Sequence, residues 1–188
     1  MIRHFTPIRR LLRRFRRKED GTASIEILFM LLPFMILFLS AYEGGMVSTR
    51  HVMLERGVDL AVRDVRIGRL KDPTHALLKK QICNYASIIP ECLENLQLEM
   101  VRMDVRNWST KLDGPIKCVD RALNVQPAVQ FSNGQNNELM VLQVCSLFDP
   151  VAATSGWGQY TLSEKIPKKS GGAYALVASS AFVMEPFQ

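Results

Sequence analysis

Apolar residues are concentrated in one long run near the start of the chain, from Thr22 to Tyr42. As an α-helix, these 21 residues would be about 31 Å long, which matches the roughly 30 Å hydrocarbon core of a bilayer. Glu26 is the single charged side chain in the run. The pattern predicts one transmembrane helix over residues 22–43.

Beyond this run, the pattern changes to that of an amphipathic helix over residues 44–70. Apolar residues recur every three or four positions and so share one helix face. This stripe consists of Val47, Leu54, Val58, Ala61 and Val65. His51 falls within the stripe, and we interpret it as a packed side chain rather than a ligand.

Proline and glycine mark two positions in the predicted helix. Pro33 lies in the middle of the apolar run, where it removes one backbone hydrogen bond and is predicted to kink the helix. Gly44 and Gly45 follow the run, and each costs about 1 kcal/mol in a helix relative to alanine. We expect the helix to leave the bilayer there, with a bend.

The remaining residues, 71–188, have the pattern of a small domain. A short helix is predicted over residues 74–83, and alternation at Leu96, Leu98 and Met100 predicts a strand with Gln97 and Glu99 on its other face. The nearly continuous apolar segment 139–148 predicts a central strand covered on both faces. Residues 174–184 predict a third strand. A long N-terminal helix followed by a small sheet is an α+β fold.

The basic residues are distributed unevenly. The net charge is +6, and residues 1–20 contain eight basic and two acidic side chains, whereas the remaining 168 residues contain 16 of each. Basic residues before a membrane span favour the cytoplasmic side. We therefore interpret residues 1–21 as a cytoplasmic leader that sets the topology and contacts anionic lipid, and we expect no nucleic-acid partner.

Four cysteines follow the predicted span, on the side that this topology exports. They are Cys83, Cys92, Cys118 and Cys145. An even count in an oxidising compartment indicates disulfides, and four cysteines permit three connectivities. Short loops favour Cys83–Cys92 and Cys118–Cys145, which a chain-entropy model would make worth about 2.7 and about 3.6 kcal/mol.

Sequence motifs for catalysis are missing from the chain. It has no P-loop, no G-x-S-x-G elbow, no H-E-x-x-H sequence and no dinucleotide-binding fingerprint. No cysteine and histidine spacing suits zinc. We therefore expect neither an enzyme nor a metal site, cofactor or small-molecule substrate.

Glu26, the acid in the apolar run, is unexpected there, because a charged side chain at the centre of a bilayer costs about 2.5–3.5 kcal/mol. One interpretation is that Glu26 is a tolerated acid near the membrane interface. The other is that it has a cationic partner. Cleavage after Gly21 would create an α-amine on Thr22, and Glu26 could pair with the amine of a neighbouring subunit in low dielectric.

This arrangement resembles type IV prepilins and pseudopilins, and within them the TadE-like pseudopilins of the tight-adherence (Flp) pilus system. The resemblance covers residues 14–70. Its elements are the basic leader, Asp20-Gly21, Ile25-Glu26, Pro33 and Glu43-Gly44. Two features depart from the pattern. Ile27 replaces an aromatic residue often found after the glutamate, and the chain is too long for the major Flp pilin.

The resemblance implies a minor pilin or pseudopilin that takes part in assembling a bacterial Flp pilus. It implies a pilin-like antiparallel sheet domain, cleavage between Gly21 and Thr22 by a prepilin peptidase, and a role for Glu26 in subunit assembly. The expected partners are inner-membrane lipid, the prepilin peptidase and other Tad pilus subunits. The expected location is the inner membrane, with a single pass and a periplasmic C-terminal domain. The alternative is an uncleaved single-pass scaffold of the assembly platform.

Overall fold

The computed structural model describes residues 22–70, 72–104, 116–121, 126, 128–149 and 173–186. Its elements are α1 (Thr22–Arg66), α2 (His75–Tyr85), α3 (Cys92–Asn95), β1 (Leu96–Met103), β2 (Leu139–Phe148) and β3 (Tyr174–Val183). The predicted leader, residues 1–21, lies outside the described residues. A long apolar helix followed by a small antiparallel sheet confirms the α+β class.

Helix α1 has 45 residues and continues through Pro33, Gly44 and Gly45. The kink and the bend predicted at these positions stay predictions, as do the domain boundaries predicted from the sequence. The helix ends where Gly68 adopts a positive φ of 70°, a conformation that glycine adopts readily. There the Leu70 N–H donates to the Asp64 carbonyl at 3.2 Å.

The chain divides into two units, with the boundary between Tyr42 and Glu43. In the second unit, one face of α1 forms part of the main core. The predicted stripe is confirmed at Leu54, Val58, Ala61 and Val65, all of which are buried, while Val47 is partly buried against the same core. Burial of these side chains, not helix propensity, stabilises this part of α1.

Helix α2 packs against α1 at a close approach. Thr74 caps α2, because its Oγ1 accepts a hydrogen bond from the Leu77 N–H at 3.3 Å. A Cβ added at Gly57 of α1 would lie 3.0 Å from the Ala86 Cβ and 3.2 Å from the Ile82 carbonyl oxygen. A larger residue at position 57 would therefore require these neighbours to move by a few tenths of an ångström.

The sheet has the strand order β1-β2-β3 and is antiparallel throughout. Strand β2 is central and has a core on each face, which confirms the prediction from its apolar sequence. Met140, Leu142, Val144 and Phe148 belong to the main core with α1. Cys145 and Leu147 belong to a smaller cluster with Val119 and Ala173.

The face of β1 that carries Gln97 and Glu99 is less exposed to solvent than the alternation of apolar and polar residues in this strand predicts. Gln97 is buried, with 5% of its surface exposed, and Glu99 is half-buried. The Glu99 carboxylate accepts a hydrogen bond from the Gln130 N–H at 3.1 Å. Residues far along the sequence therefore cover a face that the strand pattern alone would leave to solvent.

All four cysteines form disulfides, Cys83–Cys92 and Cys118–Cys145. The Cα atoms are 5.7 and 5.2 Å apart, within the usual range for a disulfide. This is the connectivity that short loops favour. The first bond joins α2 to α3, and the second holds the segment that begins at residue 116 against β2.

Candidate functional site

The first half of α1 presents a predominantly apolar surface, which we call the apolar surface and define as residues 24–42. Every side chain in this range is exposed. Phe29 and Met30 are 76% exposed, and Leu37 is 70% exposed. Within the described chain, α1 is the one helix that is long and apolar enough to cross a membrane.

Exposed apolar patches on soluble monomers rarely exceed a few hundred Å². A helix that is apolar all round is normally surrounded by lipid or by other apolar helices. The most apolar 18-residue stretch of α1 has a mean hydropathy of 2.2, and no part of that stretch is buried within the chain. Its length and composition therefore suit a membrane span.

Glu26 interrupts the apolar surface near its beginning. It is the fifth residue of α1, and its neighbours Ile25 and Ile27 are 55% and 63% exposed. The Glu26 side chain is also exposed, and no residue in the described ranges forms a hydrogen bond or ion pair with its carboxylate. The chain thus presents a carboxylate on an apolar surface, where a cationic group from another molecule could reach it.

Helix α1 begins at Thr22, the residue that would become the new N-terminus after the predicted cleavage. Gly21, on the other side of that bond, lies outside the described residues. Glu26 lies four positions after Thr22, which corresponds to a rise of about 6 Å along a helix.

Glu43, the acid that follows the apolar run, has an environment that differs from that of Glu26. It is buried, with 5% of its surface exposed, although both following glycines have open space around them. The two acids at opposite ends of the apolar run are therefore not equivalent: the chain itself surrounds Glu43 and leaves Glu26 exposed.

A buried carboxylate holds the second half of α1 against α2. Asp64 has 3% of its surface exposed and accepts hydrogen bonds from the Tyr85 hydroxyl at 2.6 Å and the Gln81 amide at 3.2 Å. The exposed Arg69 guanidinium donates a third at 3.1 Å. The sequence indicated this role only weakly, because Asp64 follows Ala61 by three positions and so shares the buried face.

Two further side chains connect α1 to the sheet. The Arg50 guanidinium lies 4.6 Å from the centroid of the Phe148 ring, a cation–π contact. His51 Nε2 lies 3.1 Å from the Val177 carbonyl oxygen and 3.6 Å from Glu55 Oε1. His51 therefore contacts the sheet, but its side chain remains 41% exposed and is less packed than its place in the stripe predicts. The contact is a polar one at the edge of the packed face.

A cleft of about 380 Å³ lies between α3 and the segment around residue 120. Its lining is mostly polar and charged, and consists of Glu91, Glu94, Asn95, Val119, Arg121, Gln126 and Asp149. The Arg121 guanidinium already donates to Asn95 at 3.0 Å and to Asp149 at 2.6 Å. Across the described ranges, no group of three or more acidic, histidine or cysteine side chains could hold a metal ion.

The chain was compared with family models, curated proteins and solved structures, and none of them matches it.

Proposed function

We propose that this protein is a minor pilin or pseudopilin that takes part in assembling a bacterial tight-adherence pilus, anchored in the inner membrane by α1. The observation that carries the proposal is the exposed carboxylate of Glu26 on an apolar helix, which no described residue pairs, five residues after a glycine that follows basic residues. A carboxylate in such a surface is costly unless it meets a cation.

The proposed chemistry is electrostatic rather than catalytic. A prepilin peptidase cuts between Gly21 and Thr22, which leaves a protonated amine at the start of the helix. If a neighbouring subunit is displaced by about one helical turn, its amine comes level with Glu26, since four residues correspond to about 6 Å. In an apolar environment this pair attracts far more strongly than in water and fixes the axial register between subunits.

The rest of the fold is consistent with this role. Residues 43–66 of α1 pack on the small antiparallel sheet, and a long helix on such a sheet supports the proposal of a pilin-like domain. The two disulfides suit that oxidising compartment. The basic leader suits a cytoplasmic N-terminus before cleavage.

The cleavage step is tested by the mass and N-terminal sequence of the protein isolated from assembled complexes. We expect the mature chain to begin at Thr22. Recovery of a functional complex with residues 1–21 intact would contradict cleavage and would favour the uncleaved inner-membrane scaffold, in which Glu26 pairs with another helix.

The assembly step is tested by Glu26→Ala and Glu26→Gln, each of which removes the charge. We expect both variants to insert in the membrane and to lose pilus assembly, because the partner amine would then lack a counter-ion. The matched control is Asp59→Ala, which removes an exposed acid from the packed half of the same helix. Normal assembly by Glu26→Gln, or equal loss with Asp59→Ala, would contradict the proposal.

A further inference from the structure

The direction of the backbone groups in β3 follows from its pairing with β2. The Met184 N–H donates to the Glu138 carbonyl at 3.1 Å, and the Asn137 N–H donates to the Met184 carbonyl at 2.9 Å. The N–H and C=O of a strand residue point to the same side, and successive residues alternate. The backbone N–H and C=O groups of even-numbered residues of β3 therefore point toward β2, and those of odd-numbered residues point away from it. The contact between His51 and the Val177 carbonyl agrees with this alternation.

The two outer edges of the sheet differ in what covers them. Residues 128–132 run along β1, where the Met100 N–H donates to the Gln130 carbonyl at 3.0 Å and the Ser132 N–H donates to the Met100 carbonyl at 2.9 Å. On β3, His51 contacts the edge at Val177.

After Val177, the residues of β3 whose backbone groups point away from β2 are Ser179, Ala181 and Val183. Their side chains are also exposed. No hydrogen bond from a described residue reaches their outward backbone groups. We call residues 179–183 the free edge.

The free edge lacks the features that normally prevent strands from pairing between molecules. Exposed edges are usually protected by charged side chains, proline or bulges. Strand β3 has no charged residue and no proline in its ten positions, and it pairs with β2 without a bulge. Unpaired backbone N–H and C=O groups at regular spacing are satisfied best by another extended strand.

We propose that the free edge pairs with the free edge of a second copy of this chain, antiparallel, about a two-fold axis at Ala181. This register places Ala181 opposite Ala181 and Ser179 opposite Val183. The outward backbone groups of each of these residues then face the outward backbone groups of a residue in the other copy. Six backbone hydrogen bonds form, no like charges meet, and the two sheets become one of six strands. A two-fold interface needs such a self-complementary surface. The proposal does not depend on the pilus function.

The first experiment is disulfide cross-linking of the full chain in detergent micelles. All four native cysteines are already paired, so one introduced cysteine is the single free thiol. Directly opposed residues of a hydrogen-bonded antiparallel pair have Cα atoms about 5.5 Å apart, which suits a disulfide. We expect Ala181→Cys to form a covalent dimer, at least tenfold more than Ser179→Cys alone.

Mixing two variants tests the register. Ser179→Cys mixed with Val183→Cys should form the heterodimer efficiently, although each variant alone should not, because residue 179 faces residue 183 of the other copy. Similar cross-linking at all three positions alone would indicate random collision and would overturn the proposal. An absence of cross-linking at all three positions would overturn it as well.

A charge swap at the two-fold axis tests the same interface without relying on one disulfide. Ala181→Lys and Ala181→Glu, each added to the mixed cysteine pair, should abolish the heterodimer when both chains carry the same charge. One lysine chain mixed with one glutamate chain should restore it. Since position 181 is exposed, the native disulfides and the circular dichroism of each variant should be unchanged, and this is measured in parallel. Failure of the opposite charges to restore pairing, in variants that remain folded, would overturn the two-fold register.

Discussion

The two halves of α1 belong to one continuous helix and yet have opposite relations to the rest of the chain. Residues 24–42 are exposed on every side, whereas in residues 43–66 one face is buried and the other is polar. The difference corresponds to the sequence pattern: an apolar run with Glu26 as its single charge in the first half, and apolar residues every three or four positions in the second. The pattern therefore indicates which neighbour each half requires, lipid or protein.

The largest expected effect comes from charges in the first half. Replacing Leu32 and Met35 together with arginine should make membrane insertion less favourable by about 5–7 kcal/mol, twice the cost of one arginine at the centre of a span. The measurement is the fraction of protein that resists extraction from membranes at alkaline pH. The control is Ser48→Arg with Val52→Arg, at exposed positions of the second half. Equal loss in the two double variants would remove the distinction between the halves.

The next effect falls on the second half alone. Leu54 is completely buried, so Leu54→Ala should lower the free energy of unfolding of the domain by about 2–5 kcal/mol. Hydrogen exchange of the β2 amides measures this value, because central strands open only with the whole domain. Leu37→Ala removes the same atoms from an exposed position in the first half and should leave that exchange unchanged. Faster β2 exchange in Leu37→Ala would show that the domain depends on the apolar surface.

The sequence predicted the elements whose patterns are continuous and local. The apolar segment 139–148 predicts β2 over its observed residues, and the pattern of residues 74–83 predicts α2 close to the observed His75–Tyr85. The packed face of α1 followed from its spacing. These elements were predictable because the hydrophobic period alone determines both their type and their buried side.

The sequence did not predict contacts that depend on residues far apart. The short helix α3, the stacking of Arg50 on Phe148 and the cover over Gln97 arise from tertiary packing, which leaves no local periodic signal. The candidate site shows the same division. The sequence singled out Glu26 because a charge is unusual in an apolar run, whereas the burial of Glu43 required the folded chain.

Two glycines of α1 provide a smaller test within the second half. Gly57→Ala should destabilise the domain by about 1–3 kcal/mol, because the new methyl group would lie 3.0 Å from Ala86 and 3.2 Å from a backbone carbonyl. Gly45→Ala should instead stabilise the helix by about 1 kcal/mol, since nothing lies within 4 Å of the added atom. Hydrogen exchange of the α1 and α2 amides separates the two results. Stabilisation by Gly57→Ala would contradict the close approach of these helices.

The smallest expected effect is a dependence of domain stability on pH, and it comes from His75 at the start of α2. The ring lies edge-on to Phe131 at 5.7 Å, and Nε2 is buried without a hydrogen-bond partner in the described part of the chain. Burial lowers the pKa of His75 below 6.5, and the charge of Lys79 lowers it further, although a hydrogen bond with the Leu98 backbone partly opposes both.

Because the folded protein binds this proton less readily than the unfolded chain, stability should fall as the pH decreases through 6.5 toward the lower pKa of the folded state, and should not fall further below that. His75→Gln should remove this part of the pH dependence. Exchange of the β2 amides, with the intrinsic exchange rate corrected at each pH, measures it. The apolar surface has no histidine, so its membrane association should not change over the same range. An unchanged slope in His75→Gln would contradict the assignment of this pH dependence to His75.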